Sequence, residues 1–151
     1  MFRICLVVAA GAALFAAAAA QPGVRAQFVG GTVSGFPPKA SARLDLGDSE
    51  ILVVQCGTNE VRIPYRKINT LEYGQNVSRR YAAAIVISPV LLLSKSRKHF
   101  VTVGYVDPAG NQQALVLRIE KGDIRPVLTG LEARSGRRIE YQDDEARKSG
   151  K

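Results

Sequence analysis

Phe100-Val101-Thr102-Val103-Gly104-Tyr105-Val106 alternates, with Val101, Val103 and Tyr105 on one side. Asp107-Pro108-Ala109-Gly110-Asn111 follows, a run of residues that favour turn backbone. Residues 113–120 return as a strand with Leu115, Leu117 and Ile119 on one face. The pattern is a β-hairpin, and it leads straight into a helix over residues 124–135. Ile124, Val127, Leu128 and Leu131 stand at i, i+3, i+4 and i+7, so they form one apolar stripe. Asp123 is a natural N-cap, and Pro126 falls in the first turn, where its missing N–H costs little. Gly136 suits a left-handed C-cap, and Arg134, Arg137 and Arg138 lie at the negative end of the helix. A hairpin closed by one amphipathic helix is the second half of a small β domain.

The rest of the domain reads as more strands. Residues 27–33 form the first, with Gly30-Gly31 permitting a bulge, and the proline-rich loop 34–40 follows. Residues 42–46 and 50–55 make a hairpin around Gly47-Asp48-Ser49. Residues 61–65 alternate, and Pro64 places that strand at an edge or an end. Residues 68–74 put Asn69, Leu71 and Tyr73 on one face, which predicts partial exposure on both sides. Residues 139–141 add a short extended piece. No helix falls between strands, which argues against parallel βαβ units. The expected fold is mainly β with one C-terminal α-helix, a seven-stranded antiparallel bent sheet or small barrel.

Between the fifth strand and the hairpin lies an apolar run, residues 82–93, divided by Ser88-Pro89. It is too short to span a bilayer as a helix. Arg79-Arg80 precede it, and Lys95, Arg97, Lys98 and His99 follow it. If the run stands out from the domain, its base carries five positive charges. Ile85, Val90, Leu91 and Leu92 would then enter a partner or a membrane interface, while Arg79, Arg80, Lys95, Arg97 and Lys98 meet anionic groups. The competing reading makes the run part of the core and the charges its solvated flanks.

The two ends read as processing and tail segments. A short positive start, Met1-Phe2-Arg3, and an uninterrupted apolar stretch over residues 4–20 have the form of an export signal. Small residues allow cleavage after Ala20 or after Ala26, so residues 1–26 are assigned to the signal and its cleavage region, with a retained N-terminal membrane anchor as the competing reading. The domain is assigned to residues 27–141, and residues 142–151 to a charged, flexible tail.

The net charge of +8 favours acidic partners. Nucleic acid is set aside, because no recognition motif is present and aromatics do not interleave with the basic residues. With the signal removed, Cys56 is the one remaining cysteine, so no intramolecular disulfide can form. It reads as a small buried apolar residue at a strand end, or as a thiol for pairing with a second chain. A single histidine beside a single cysteine gives no zinc set. His99 has no carboxylate nearby in sequence and reads as a strand-opening residue that hydrogen-bonds locally. Neighbouring positive charge should lower its pKa. Asp143-Asp144-Glu145 reads as a solvated charge run. No catalytic residue, cofactor site or metal site is assigned.

The strand order and the terminal helix resemble the pleckstrin-homology-like superfold. The residues that carry the likeness are Ile63-Pro64-Tyr65 with Ile68 and Leu71, then Lys98-His99-Phe100-Val101-Thr102-Val103, then Asp107 with Gly110. Leu71-Glu72-Tyr73-Gly74-Gln75, with Arg79-Arg80 and the basic group at 95–99, is also similar to exported proteins of soil bacteria. The resemblance covers residues 27–141 and carries no catalytic residue. Familiar members bind phosphoinositides through basic residues of the first hairpin loop. Here that loop has only Lys39, a departure from the pattern. The resulting expectation is an exported, non-enzymatic binding or scaffolding module of the bacterial envelope, in the periplasm or outside the cell. It would contact a protein or an anionic membrane surface. A self-associating envelope protein, joined through a sheet edge or Cys56, is the alternative, and a small enzyme is a third.

Overall fold

A computed structural model describes residues 23–75, 98–142 and 144–150. Among the described residues eight strands form one sheet: β1 (Val24–Gly31), β2 (Ser41–Asp45), β3 (Ile51–Cys56), β4 (Asn59–Pro64), β5 (Ile68–Gly74), β6 (His99–Val106), β7 (Gln112–Ile119) and β8 (Glu140–Tyr141). Their spatial order is β4-β3-β2-β1-β7-β6-β5-β8. Helix α1 (Ile124–Ser135) follows β7, and a shorter helix, α2 (Asp144–Gly150), follows β8.

The expectation of seven antiparallel strands is corrected in two respects. The sheet has an eighth strand, and β8 runs parallel to β5, with Glu72 opposite Glu140 and Tyr73 opposite Tyr141. The sheet is also open rather than a closed barrel, with β4 and β8 at its edges. The parallel strand arises because α1 reverses the chain after β7. Residues 139–141 then reach β5 from the helix end rather than from a hairpin.

Local rules account for most boundaries. β3 is β-branched and apolar, and the Asp48 carboxylate starts it by accepting from the Glu50 and Ile51 N–H groups at 2.7 and 3.0 Å. The β6–β7 turn is tied by Asp107, which accepts from Asn111 N–H at 2.8 Å, and Gly110 takes φ 88°. A bulge does occur in β1, but ahead of the Gly30-Gly31 pair: the register with β7 shifts between Phe28 and Gly30, leaving Val29 as the extra residue. Lys39 adopts φ 68° at the end of the first loop, held by its N–H on Phe28 O and its carbonyl on the Gln27 amide.

β5 departs from its expected half-exposed pattern. A register shift between Ile68 and Thr70 resets the alternation. Ile68, Leu71 and Tyr73 thereby all join the core, and Glu72 on the other side is buried as well. β6 is likewise buried on both faces: Val101 and Val103 lie in the core, while Phe100 and Thr102 are buried opposite.

Helix α1 has the predicted bounds and buries the predicted stripe, Ile124, Val127, Leu128 and Leu131. It packs on the 3-10 turn Tyr65–Lys67 and on β5. Gly136 caps it at φ 66°, donating to Glu132 O at 2.9 Å. Asp123 is not the side-chain cap that was expected. Its backbone is already helical and its carboxylate makes no cap bond, because the preceding turn carries the chain in and Asp123 N–H donates to Glu120 O. In the C-terminal segment, α2 seats Ala146 in the core.

Candidate functional site

Of the residues predicted for partner contact, Arg79, Arg80, Ile85, Val90, Leu91, Leu92, Lys95 and Arg97 lie outside the described residues, as does the whole 82–93 run. Lys98 is described. It is half-buried and stands immediately before β6.

Next to it, His99 opens β6 with 8% exposure. Its Nδ1 lies 2.5 Å from the Tyr73 hydroxyl of β5, and the two rings stack with centroids 6.0 Å apart. The Tyr141 ring of β8 meets Tyr73 edge-on at 6.1 Å. The histidine therefore bonds across the sheet and not locally. Burial first, and Lys121 second, hold its pKa below the usual value. The downward direction agrees with the sequence expectation, but burial is its leading cause and the contributing charge is Lys121, from the β7–α1 turn.

A basic surface lies elsewhere, on the outer face of β1, β2 and β3. Arg25 and Arg43 are directly opposite one another in the β1–β2 ladder, and both are exposed. Arg43 continues in register to Gln55 of β3. A recess of about 300 Å³ is lined by Arg25, Ser41, Ala42, Arg43, Gln55 and Gly57. Among the described residues neither arginine has a carboxylate at ion-pair distance; the ion pair present there joins Arg62 and Glu60 at 3.0 Å. The aliphatic part of Arg43 crosses Gly23, where a β-carbon would stand 2.6 Å from Cγ. Beyond β1, Arg118 of β7 donates to the Gln27 amide oxygen at 3.1 Å.

Like charges directly opposite on neighbouring strands repel. An oxyanion seated between two guanidinium groups relieves that repulsion and accepts charge-assisted hydrogen bonds. The Ser41 hydroxyl and the Gln55 amide add neutral hydrogen-bonding groups. The pair was missed in the sequence because Arg25 falls in the segment assigned to the signal. Even a correct boundary would not have placed Arg25 against Arg43, since that requires the strand register.

A second groove, of about 420 Å³, lies where α1 meets the ends of β1 and β2, with Asp45 and Arg134 as its charged residues. Cys56 closes β3 at 3% exposure, inside the core, and burial pushes its thiol pKa up. Among the described residues no three His, Cys, Asp or Glu side chains are grouped to hold a metal ion. No helix among them is long and apolar enough to cross a membrane. No protein-family model matches the chain, and no curated protein matches it.

Proposed function

We propose that this protein is an exported, non-enzymatic binding module of the bacterial envelope that attaches to an anionic membrane surface. The observation that carries the reading is the Arg25–Arg43 pair, exposed, in register and without a carboxylate at ion-pair distance among the described residues. The net charge of +8 supports it by favouring approach to anionic headgroups. In this reading Arg79, Arg80, Lys95, Arg97 and Lys98 add positive charge for anionic headgroups, as expected from the sequence. Ile85, Val90, Leu91 and Leu92 belong to the same contact. The pleckstrin-homology-like assignment is part of the proposal, supported by the meander of β1 to β4, the second meander of β5 to β7, and the helix after β7.

Vesicle co-sedimentation tests the proposal. Vesicles rich in phosphatidylglycerol should retain the protein at low salt, and neutral phosphatidylcholine vesicles should not. Each basic residue at such a surface contributes about 1 kcal/mol. Replacing both Arg25 and Arg43 by Ser should therefore lower partitioning roughly thirtyfold. Retention that ignores lipid charge and salt would overturn the proposal.

A further inference from the structure

The edge strand β4 offers a surface that is independent of the basic face. Tyr65 N–H donates to Glu50 O at 2.8 Å, one step beyond the Ile51–Pro64 pair of the β3–β4 ladder. Antiparallel ladders alternate, so Ile63, Val61 and Asn59 turn their backbone groups towards β3. Glu60, Arg62 and Pro64 turn theirs towards the open edge. The side chains of Glu60 and Arg62 are exposed, 41% and 59%, and lie on the same face of the strand. Among the described residues no backbone partner faces this edge.

We propose that two copies of the chain associate by pairing β4 with β4, antiparallel, with Glu60 of each opposite Arg62 of the other. The edge-facing groups allow only registers that bring Glu60, Arg62 or Pro64 opposite one another. Centring the pair on Glu60 sets carboxylate against carboxylate. Centring it on Arg62 sets guanidinium against guanidinium and places Pro64, which has no N–H, opposite Glu60. Centring it on Val61 puts Glu60 opposite Arg62 twice, and each of these pairs exchanges both backbone hydrogen bonds. The two Val61 residues then face each other across the twofold axis, as a self-complementary contact requires. Charged residues commonly guard an open edge. A guard of one sign would repel a second copy, whereas Glu60 and Arg62 complement their own image.

Sedimentation equilibrium of the purified chain, as expressed, from micromolar to near-millimolar concentration tests the pairing. A reversible dimer is expected. Glu60→Arg or Arg62→Glu alone should each raise its Kd about tenfold, and the two together should restore it. Both positions are exposed, and an unchanged circular dichroism spectrum checks that each variant is folded. Val61→Cys should give a disulfide-linked dimer on mild oxidation, since facing residues of a non-hydrogen-bonded pair have Cα atoms about 4.5 Å apart. A monomer at every concentration with no Val61→Cys cross-link overturns the proposal. A dimer that the double reversal fails to restore overturns this register. Neither result bears on vesicle binding.

Discussion

Tyr73 and His99 come from strands separated by the apolar run, yet their side chains meet in a 2.5 Å hydrogen bond within a buried stack. The pair fastens the last residues of β5 to the first of β6. Tyr141 packs against it from β8, and Lys121 adds positive charge from the β7–α1 turn.

This pair makes stability depend on pH. His99 is held neutral in the fold by burial first and by Lys121 second. Below the ordinary histidine pKa of about 6.5, the unfolded chain binds a proton that the folded chain resists. The stability contributed by the neutral form is complete above that pH and is lost as pH falls towards the folded value. The urea midpoint should therefore fall between about pH 7 and pH 5, and fall less in His99→Gln. An equal fall in the variant would assign the effect to other groups.

Cys56 should behave as a core residue. Its side chain is 3% exposed and burial disfavours the thiolate. Ellman's reagent should leave the native protein untouched and react once urea unfolds it. Non-reducing electrophoresis should show no dimer linked through Cys56, because such a bond would require β3 to open. Rapid labelling of the native protein would contradict this placement.

The start of β1 bears on where an export signal is removed. Val24, Arg25 and Ala26 pair with Leu44, Arg43 and Ala42 of β2, and Ala26 also pairs with Ile119 of β7. Cleavage after Ala26 would strip these residues from an interior strand and remove Arg25 from the basic face. Cleavage after Ala20 leaves them in place. If the proposed export signal is removed, the mature chain should have the intact mass of residues 21–151. A mass matching residues 27–151 would show that the sheet tolerates the loss, and an uncleaved chain would argue against the export signal itself.

The helix should be costly to damage at two points. Leu131 is fully buried in the stripe that α1 turns towards the core, so Leu131→Ala should cost about 2–5 kcal/mol. Gly136 sits at φ 66° as the C-cap, and Gly136→Ala should cost roughly 1 kcal/mol or more. Chemical denaturation of the two variants checks both values. A Leu131→Ala change below 1 kcal/mol would mean that the helix does not close the core.

Much of this architecture follows from local patterns. Strand alternation, the Asp107–Asn111 turn, the position of Pro64 on an edge strand and the α1 stripe are decided by side-chain period and turn chemistry, which act over a few residues. Three features are not local. The bulges in β1 and β5 shift which residues face inward, and composition does not mark the residue at which alternation breaks. β8 pairs with β5 across most of the domain, through contacts that two residues of sequence cannot specify. The Arg25–Arg43 pair, the Tyr73–His99 bond and the edge-facing side of β4 all depend on strand register. A mainly β chain with a capped helix and a surplus of positive charge is legible before any tertiary contact forms, because those are properties of short segments and of sums. Which charges stand together, which histidine nitrogen is taken and which backbone groups stay open were decided by tertiary structure, because each depends on residues brought together by the pairing of strands distant in the chain.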